Sequence, residues 1–141
     1  LIVETIDEFL NKYDIPNDTP IYISSEGLSY GSTGDAALNL ATYKGVLLSK
    51  LYEHYKDRLY GLYTYSPITL KSVAGCAGKN KQTSKTPMID AFKLEEVNNG
   101  FSAGLKTNDF INKTAYIHCV DDIVDSYWAL KTMLKKEGFI K

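Results

Sequence analysis

Cysteine is scarce in this sequence. Cys76 and Cys119 allow at most one bridge, which excludes a disulfide-stapled scaffold and fits two free thiols in a reducing compartment. Nothing in their spacing suggests zinc. Long apolar runs are also lacking: none approaches the ~20 residues that cross a bilayer, and the basic-apolar-small pattern of a signal peptide is not seen. The expectation is a soluble, cytoplasmic chain. Neither sign of charge dominates, since the formal net charge is -1 and the pI about 6.1. A globally basic nucleic-acid binder is therefore excluded, and any affinity for nucleic acid must come from a local patch.

What is present argues for a packed core. The 141 residues are 44% hydrophobic and include eleven tyrosines, with no low-complexity tract, so disorder is not expected. The length predicts a single domain over residues 1–141. One local patch stands out: between Pro67 and Met88 lie Lys71, Lys79, Lys81 and Lys85 and no acid. The sequence opens on Leu1 directly in a helical pattern, as a trimmed chain would.

Ile2, Ile6, Phe9 and Leu10 recur at helical spacing, and Asp14-Ile15-Pro16-Asn17 supplies a stop. Ile21-Tyr22-Ile23 then reads as a buried strand whose C-terminal end delivers Glu26. Asp35 is positioned to cap a helix with Ala37, Leu40, Ala41, Leu48 and Leu51 on one face. Gly45 within that helix suggests close packing. A second strand is predicted over Leu59 to Tyr65, leading through Ser66-Pro67 into the lysine-rich segment. A short helix follows over Ser84 to Phe92, with Pro87 in its first turn, and then an irregular connection from Lys93 to Lys113. The last helix, about Val120 to Lys136, carries Ile123, Tyr127, Leu130 and Leu134 on one stripe, and Gly138 ends it. Trp128 is expected in the core and His118 near the helix start. Strands followed by helices imply an α/β layer structure.

The most informative segment is Val120-Asp121-Asp122-Ile123-Val124-Asp125-Ser126. At about 100° per residue, Asp122 and Asp125 lie roughly 60° apart and one turn apart, so their carboxylates can share a cation. Small residues at Ser126 and Ala129 would let this helix lie close to a sheet edge. The plainer explanation is that Asp121, Asp122 and Asp125 favour the positive end of a helix dipole. Glu26 likewise has a plain explanation as a polar residue ending a strand. The combination is more specific, because hard oxygen ligands from a strand end and a distant helix suit Mg²⁺.

These pieces occur in a familiar order. Glu26-Gly27-Leu28-Ser29-Tyr30, followed by the helix from Gly34-Asp35 to Tyr43-Lys44-Gly45-Val46, resembles the corresponding segment of the RuvC-like Holliday junction resolvases of phages. Tyr65-Ser66-Pro67-Ile68-Thr69-Leu70-Lys71 resembles that family's next strand and its functional lysine. Ser84-Lys85 is similar to a second lysine opening a helix, and Asp122-Ile123-Val124-Asp125-Ser126 to the terminal D-x-x-D-[AS] helix. The resemblance implies a ribonuclease H-like mixed sheet flanked by helices. It implies a Mg²⁺-dependent endodeoxyribonuclease with two ions per site, for which Mn²⁺ substitutes.

By that resemblance Glu26, Asp122 and Asp125 are metal ligands, and Lys71 and Lys85 act on the scissile or neighbouring phosphate. Tyr30, Lys79 and Lys81 are further DNA contacts, and the reaction on branched DNA implies a homodimer in the host cytoplasm. The family's first aspartate has no match here. Asp7 lies on an amphipathic helix and is no substitute, so the N-terminal strands that carry this aspartate are expected upstream of Leu1. The alternatives are a non-catalytic nucleic-acid-binding module of the same fold and another ribonuclease H-like nuclease.

Overall fold

The computed structural model describes residues 2–28, 34–78, 86–100 and 117–141, the side chains of 117–119 excepted. Among them the order is α1 (Ile2–Lys12), β1 (Ile21–Glu26), α2 (Asp35–Tyr55), β2 (Leu59–Tyr65), α3 (Pro67–Val73), α4 (Thr86–Asn99) and α5 (Ile117–Lys136). This is a mixed α/β chain with a two-stranded parallel sheet among the described residues. No helix among them is long and apolar enough to cross a membrane.

The parallel sense follows from the pairing. The Ile21 amide donates to the Arg58 carbonyl at 2.7 Å and the Gly27 amide to the Tyr65 carbonyl at 2.6 Å, so both strands advance together. Parallel neighbours require a long crossover, which α2 provides. Between those two bonds β1 advances from 21 to 27 and β2 from 58 to 65, one residue more. The extra residue in β2 is what a bulge inserts.

Two compact units divide the chain, and each is built around its own contacts. The first, residues 1–23 and 28–63, contains α1, α2 and the leading parts of both strands. Here α1 packs on α2 through a polar clasp: the Tyr55 hydroxyl donates to Asp7 Oδ1 at 2.8 Å, and His54 Nε2 meets Asp7 Oδ2 at 2.9 Å. Leu51 and Tyr55 are the buried residues of α2. α1 ends as its sequence foretold, with Asp14 in the left-handed region at φ 50. The amides of Asp14 and Ile15 cap the carbonyls of Asn11 and Leu10 at 3.1 and 3.0 Å, the paired bonds of a Schellman turn.

The second unit, residues 24–27 and 64–141, holds the tail of each strand and α3, α4 and α5. Its core is Leu70 of α3, Met88 and Phe92 of α4, and Val120, Val124, Trp128 and Ala129 of α5. Each large apolar side chain buried there contributes ~1.5–3 kcal/mol. Trp128, expected in the core, is 2% exposed and donates its indole N–H to the Met88 carbonyl at 3.2 Å, so its polar atom is satisfied.

Several expectations need correction. The stripe of Ile123, Tyr127, Leu130 and Leu134 is not the buried face of α5: Ile123 and Leu130 are 38% and 46% exposed, and the buried column is Val120, Val124, Trp128 and Thr132 with Asp125, Ala129 and Met133 beside it. Two apolar stripes competed on one helix, and the one carrying the aromatic Trp128 won. Asp35 does not cap α2, because it is the first helical residue and Gly34 holds the cap position without a side-chain bond. Leu40 is 57% exposed rather than on a buried face. Residues 93–99 are helical, not irregular, since α4 runs on to Asn99 while Glu95 bonds to α5. The lysine-rich segment after β2 opens with a helix not expected there, α3, started by Ser66, whose hydroxyl accepts from the Thr69 amide at 3.3 Å, with Pro67 in the first turn.

Gly45 is the last correction. A Cβ built there meets nothing within 4 Å, so no close packing calls for glycine. Gly45→Ala is therefore expected to raise stability by about 1 kcal/mol through helix propensity, read as a higher urea midpoint with unchanged slope.

The α1–α2 clasp sets a pH dependence. Asp7 is held below the usual carboxylate range, first by the Tyr55 hydroxyl and then by His54 and Arg58. Its contribution is present above the unfolded carboxylate value and fades as pH falls through the depressed folded one. Burial, with Asp7 adding to it, pushes Tyr55 up to about 12. The phenol's contribution is thus present below the unfolded tyrosine value and is lost as pH rises through about 12. Thermal midpoints across pH should fall at both extremes, and in Tyr55→Phe both the alkaline and the acid fall should shrink, the remaining alkaline fall coming from Tyr65 and Tyr127, which are also raised.

Candidate functional site

Glu26 is the last residue of β1, as the sequence suggested, and is half-buried. What fixes the backbone beside it is the close approach of Gly27 to β2. A Cβ at Gly27 would lie 3.1 Å from the Tyr65 carbonyl oxygen, tighter than most such contacts, so a larger residue would push the strand ends apart by a few tenths of an ångström. Ser25 Oγ and Thr64 Oγ1 add a bond of 3.2 Å between the same strand ends. β2 then passes through the Ser66 cap into α3, and α3 packs on α5. The strand end bearing Glu26 and the helix bearing the aspartates thus belong to one compact unit.

On α5 the three aspartates have different surroundings. Asp125 is buried, 6% exposed, in the column that also holds Val124, Trp128 and Ala129. Asp122 is exposed. Asp121, one turn before Asp125 at the i, i+4 spacing that shares a helix face, is half-buried, and its Oδ1 is buried without a hydrogen-bond partner. The expected pairing of Asp122 with Asp125 therefore joins one outward and one inward side chain, and Asp121 is the acid that shares Asp125's side. Sequence reading grouped Asp121 with the dipole explanation. The signal that identifies it is its spacing from the buried Val120/Val124 column. Ser126 is exposed, so of the two small residues Ala129 alone lies in the packed face.

The helix-dipole explanation itself loses force. α5 begins at Ile117, three residues earlier than expected, so Asp121, Asp122 and Asp125 are its fifth, sixth and ninth residues and no acid lies in the first turn. Dipole stabilisation fades within that turn.

Hard oxygen donors are the right chemistry for Mg²⁺, and the buried Oδ1 of Asp121 is an atom for which a cation would be a fitting partner. Among the described residues, however, no group of three or more His, Cys, Asp and Glu side chains is arranged to hold a metal ion. Glu26, Asp122 and Asp125 are not gathered there into such a group.

Lys71 is half-buried in the last turn of α3. α3 ends at a Gly75 with φ 71, where the Gly75 and Cys76 amides cap Ser72 and Lys71 carbonyls at 3.1 and 2.7 Å. Cys76 is a free thiol. Tyr65, under the Lys136 ammonium at 6.0 Å, is pushed up by burial and stays neutral. Tyr30, Lys79, Lys81 and Lys85 lie outside the described residues, as do the side chains of His118 and Cys119.

Comparison with models of protein families, with curated proteins and with solved structures finds no match for this chain.

If Asp125 is held inside for chemistry rather than for folding, its neutral isostere should be easier to bury. Asp125→Asn is expected to raise the thermal midpoint in the absence of divalent metal by about 3 °C, the shift that ~1 kcal/mol gives in a chain of this size. A lowered midpoint would assign Asp125 to the scaffold.

Proposed function

We propose that this chain is the nuclease part of a metal-dependent, structure-selective endodeoxyribonuclease of ribonuclease H-like fold that acts on four-way or otherwise branched DNA. The observation that carries the reading is the burial of Asp125, deep in α5 and in the same unit as the strand-end Glu26. As the ninth residue of α5, Asp125 lies beyond the first turn, where a helix dipole would favour it. The parallel β1–α2–β2 unit, with a glutamate at the end of its first strand, supports the reading too, since α/β sheets place their sites at the carboxyl ends of strands.

In this reading Glu26, Asp122 and Asp125 hold Mg²⁺, with Asp121 joining Asp125 on the inner side of the helix. The bound ions supply an activated water and stabilise the leaving oxygen of a phosphodiester. Lys71, Lys85 and the neighbouring Lys79 and Lys81 meet phosphates, and Tyr30 stacks on an unpaired base. Paired nicks across a junction call for two copies of the site in a homodimer.

One observation favours a second reading, a nucleic-acid-binding module that does not cleave: the absence of a three-acid group among the described residues. A labelled four-way junction and a linear duplex, each incubated with the protein in Mg²⁺ or EDTA, separate the two. Cleavage of the junction in Mg²⁺ alone supports the nuclease, and retention without cleavage supports the module.

Within the nuclease reading, Glu26→Gln and Asp125→Asn abolish cleavage while junction binding survives. Lys71→Ala lowers the single-turnover rate by ~10²-fold with little change in binding, because a lysine aimed at the reacting phosphate acts mainly in the transition state. Lys85→Ala gives a similar or smaller loss, and Lys79→Ala weakens binding at most. Unchanged rates in both Lys71→Ala and Lys85→Ala would remove the lysines from the chemistry.

A further inference from the structure

The opposite side of α5 from Asp125 carries a different feature. Where α5 ends, Gly138 adopts φ 76, and the amides of Gly138 and Phe139 cap the carbonyls of Lys135 and Leu134 at 3.2 and 2.8 Å. The Ile140 amide also reaches the Leu134 carbonyl at 3.2 Å, which folds the last residues back along the helix. The fold-back closes one side of an open groove of 420 Å³ between α4, α5 and the tail.

Its surface has two distinct parts. Leu130, Leu134 and Ile140 form an apolar strip, with Leu130 46% and Ile140 40% exposed. Along its polar side Glu95 is already satisfied: Tyr127 Oη at 2.8 Å, Asn99 Nδ2 at 3.1 Å and the Lys131 ammonium all donate to its Oε2. The Lys131 ammonium holds the Glu95 carboxyl below its usual range, so this pair stays ionised and mutually neutral. That leaves Lys135 and Lys141, which line the groove and have no ion-pair partner among the described residues.

We infer that this groove binds a small organic anion with an apolar body, of the chemistry of a medium-chain carboxylate. The head group meets the unmatched ammonium groups of Lys135 and Lys141, and the chain covers Leu130, Leu134 and Ile140. The volume lies at the small end of the range for ligand sites, which suits a molecule of this size. A nucleic-acid backbone would use the two cations but leave the apolar strip in water, so a polyanion is the poorer fit. The inference is independent of the nuclease reading, since Asp125 faces the other side of the helix.

The test is calorimetric titration of the whole chain with decanoate below its micelle concentration, beside decyltrimethylammonium as the cationic counterpart. Decanoate should bind with one-to-one stoichiometry and shift the backbone amide resonances of Asn99, Lys131 and Lys135, while the cation should not bind. Lys135→Gln, on an exposed residue that leaves the fold intact, should weaken decanoate roughly fivefold at low salt. Leu130→Ser should weaken it by a similar factor through lost apolar contact. Asp125→Asn should leave it unchanged, which keeps this test apart from that of the catalytic site. Equal binding of the cation, unaltered affinity in Lys135→Gln, or displacement of decanoate by duplex DNA would each overturn the inference.

Discussion

The second unit depends on one face of one helix. Val120, Val124 and Trp128 recur every fourth residue along α5 and meet Leu70 of α3 and Met88 and Phe92 of α4, so a single column draws three helices together. Because a helix cannot bury one residue without turning its neighbours, the same rotation that seats Trp128 carries Asp125 inside and sends Ile123, Leu130 and Asp122 outward. The placement of the aspartates is thus a consequence of core packing rather than of local helix-end electrostatics. The indole N–H bond to the Met88 carbonyl fixes that rotation, since turning α5 by one residue would strand a buried donor.

Much of the framework was readable from the sequence because it rests on local chemistry. The β-branched and aromatic runs at Ile21 and Leu59 gave both strands, the second with the bounds observed, and Asp14 and Gly138 gave the helix stops. α3 was missed although its start carries a serine cap and a first-turn proline, because seven residues are too few for an apolar period to show. The extension of α4 to Asn99 had no apolar signal either: Leu94 and Val97 are 60% and 78% exposed, and what holds that stretch is the bonding of Glu95 to Tyr127 and Lys131, a contact distant in sequence.

The candidate site divides in the same way. Glu26 at a strand end followed from the strand itself. Which of three neighbouring aspartates turns inward did not, because α5 carries two apolar stripes of comparable strength, and the choice between them is made by Leu70 and Phe92, which belong to other helices. Reading Asp122 with Asp125 used spacing alone. The buried oxygen of Asp121 becomes visible only once the packed column is known.

The caps of α3 bear on how its lysine works. Seven residues do not hold a helix in water unaided, yet this one is fixed at its start by Ser66 and Pro67, at its end by the Gly75 turn, and in its middle by Leu70, which has no exposed surface. Lys71 therefore projects from a backbone already ordered. An anion that reaches its ammonium group orders only the side chain, at a cost of up to ~2 kcal/mol, and is spared the further 1–2 kcal/mol for each backbone residue that a free loop would have to freeze.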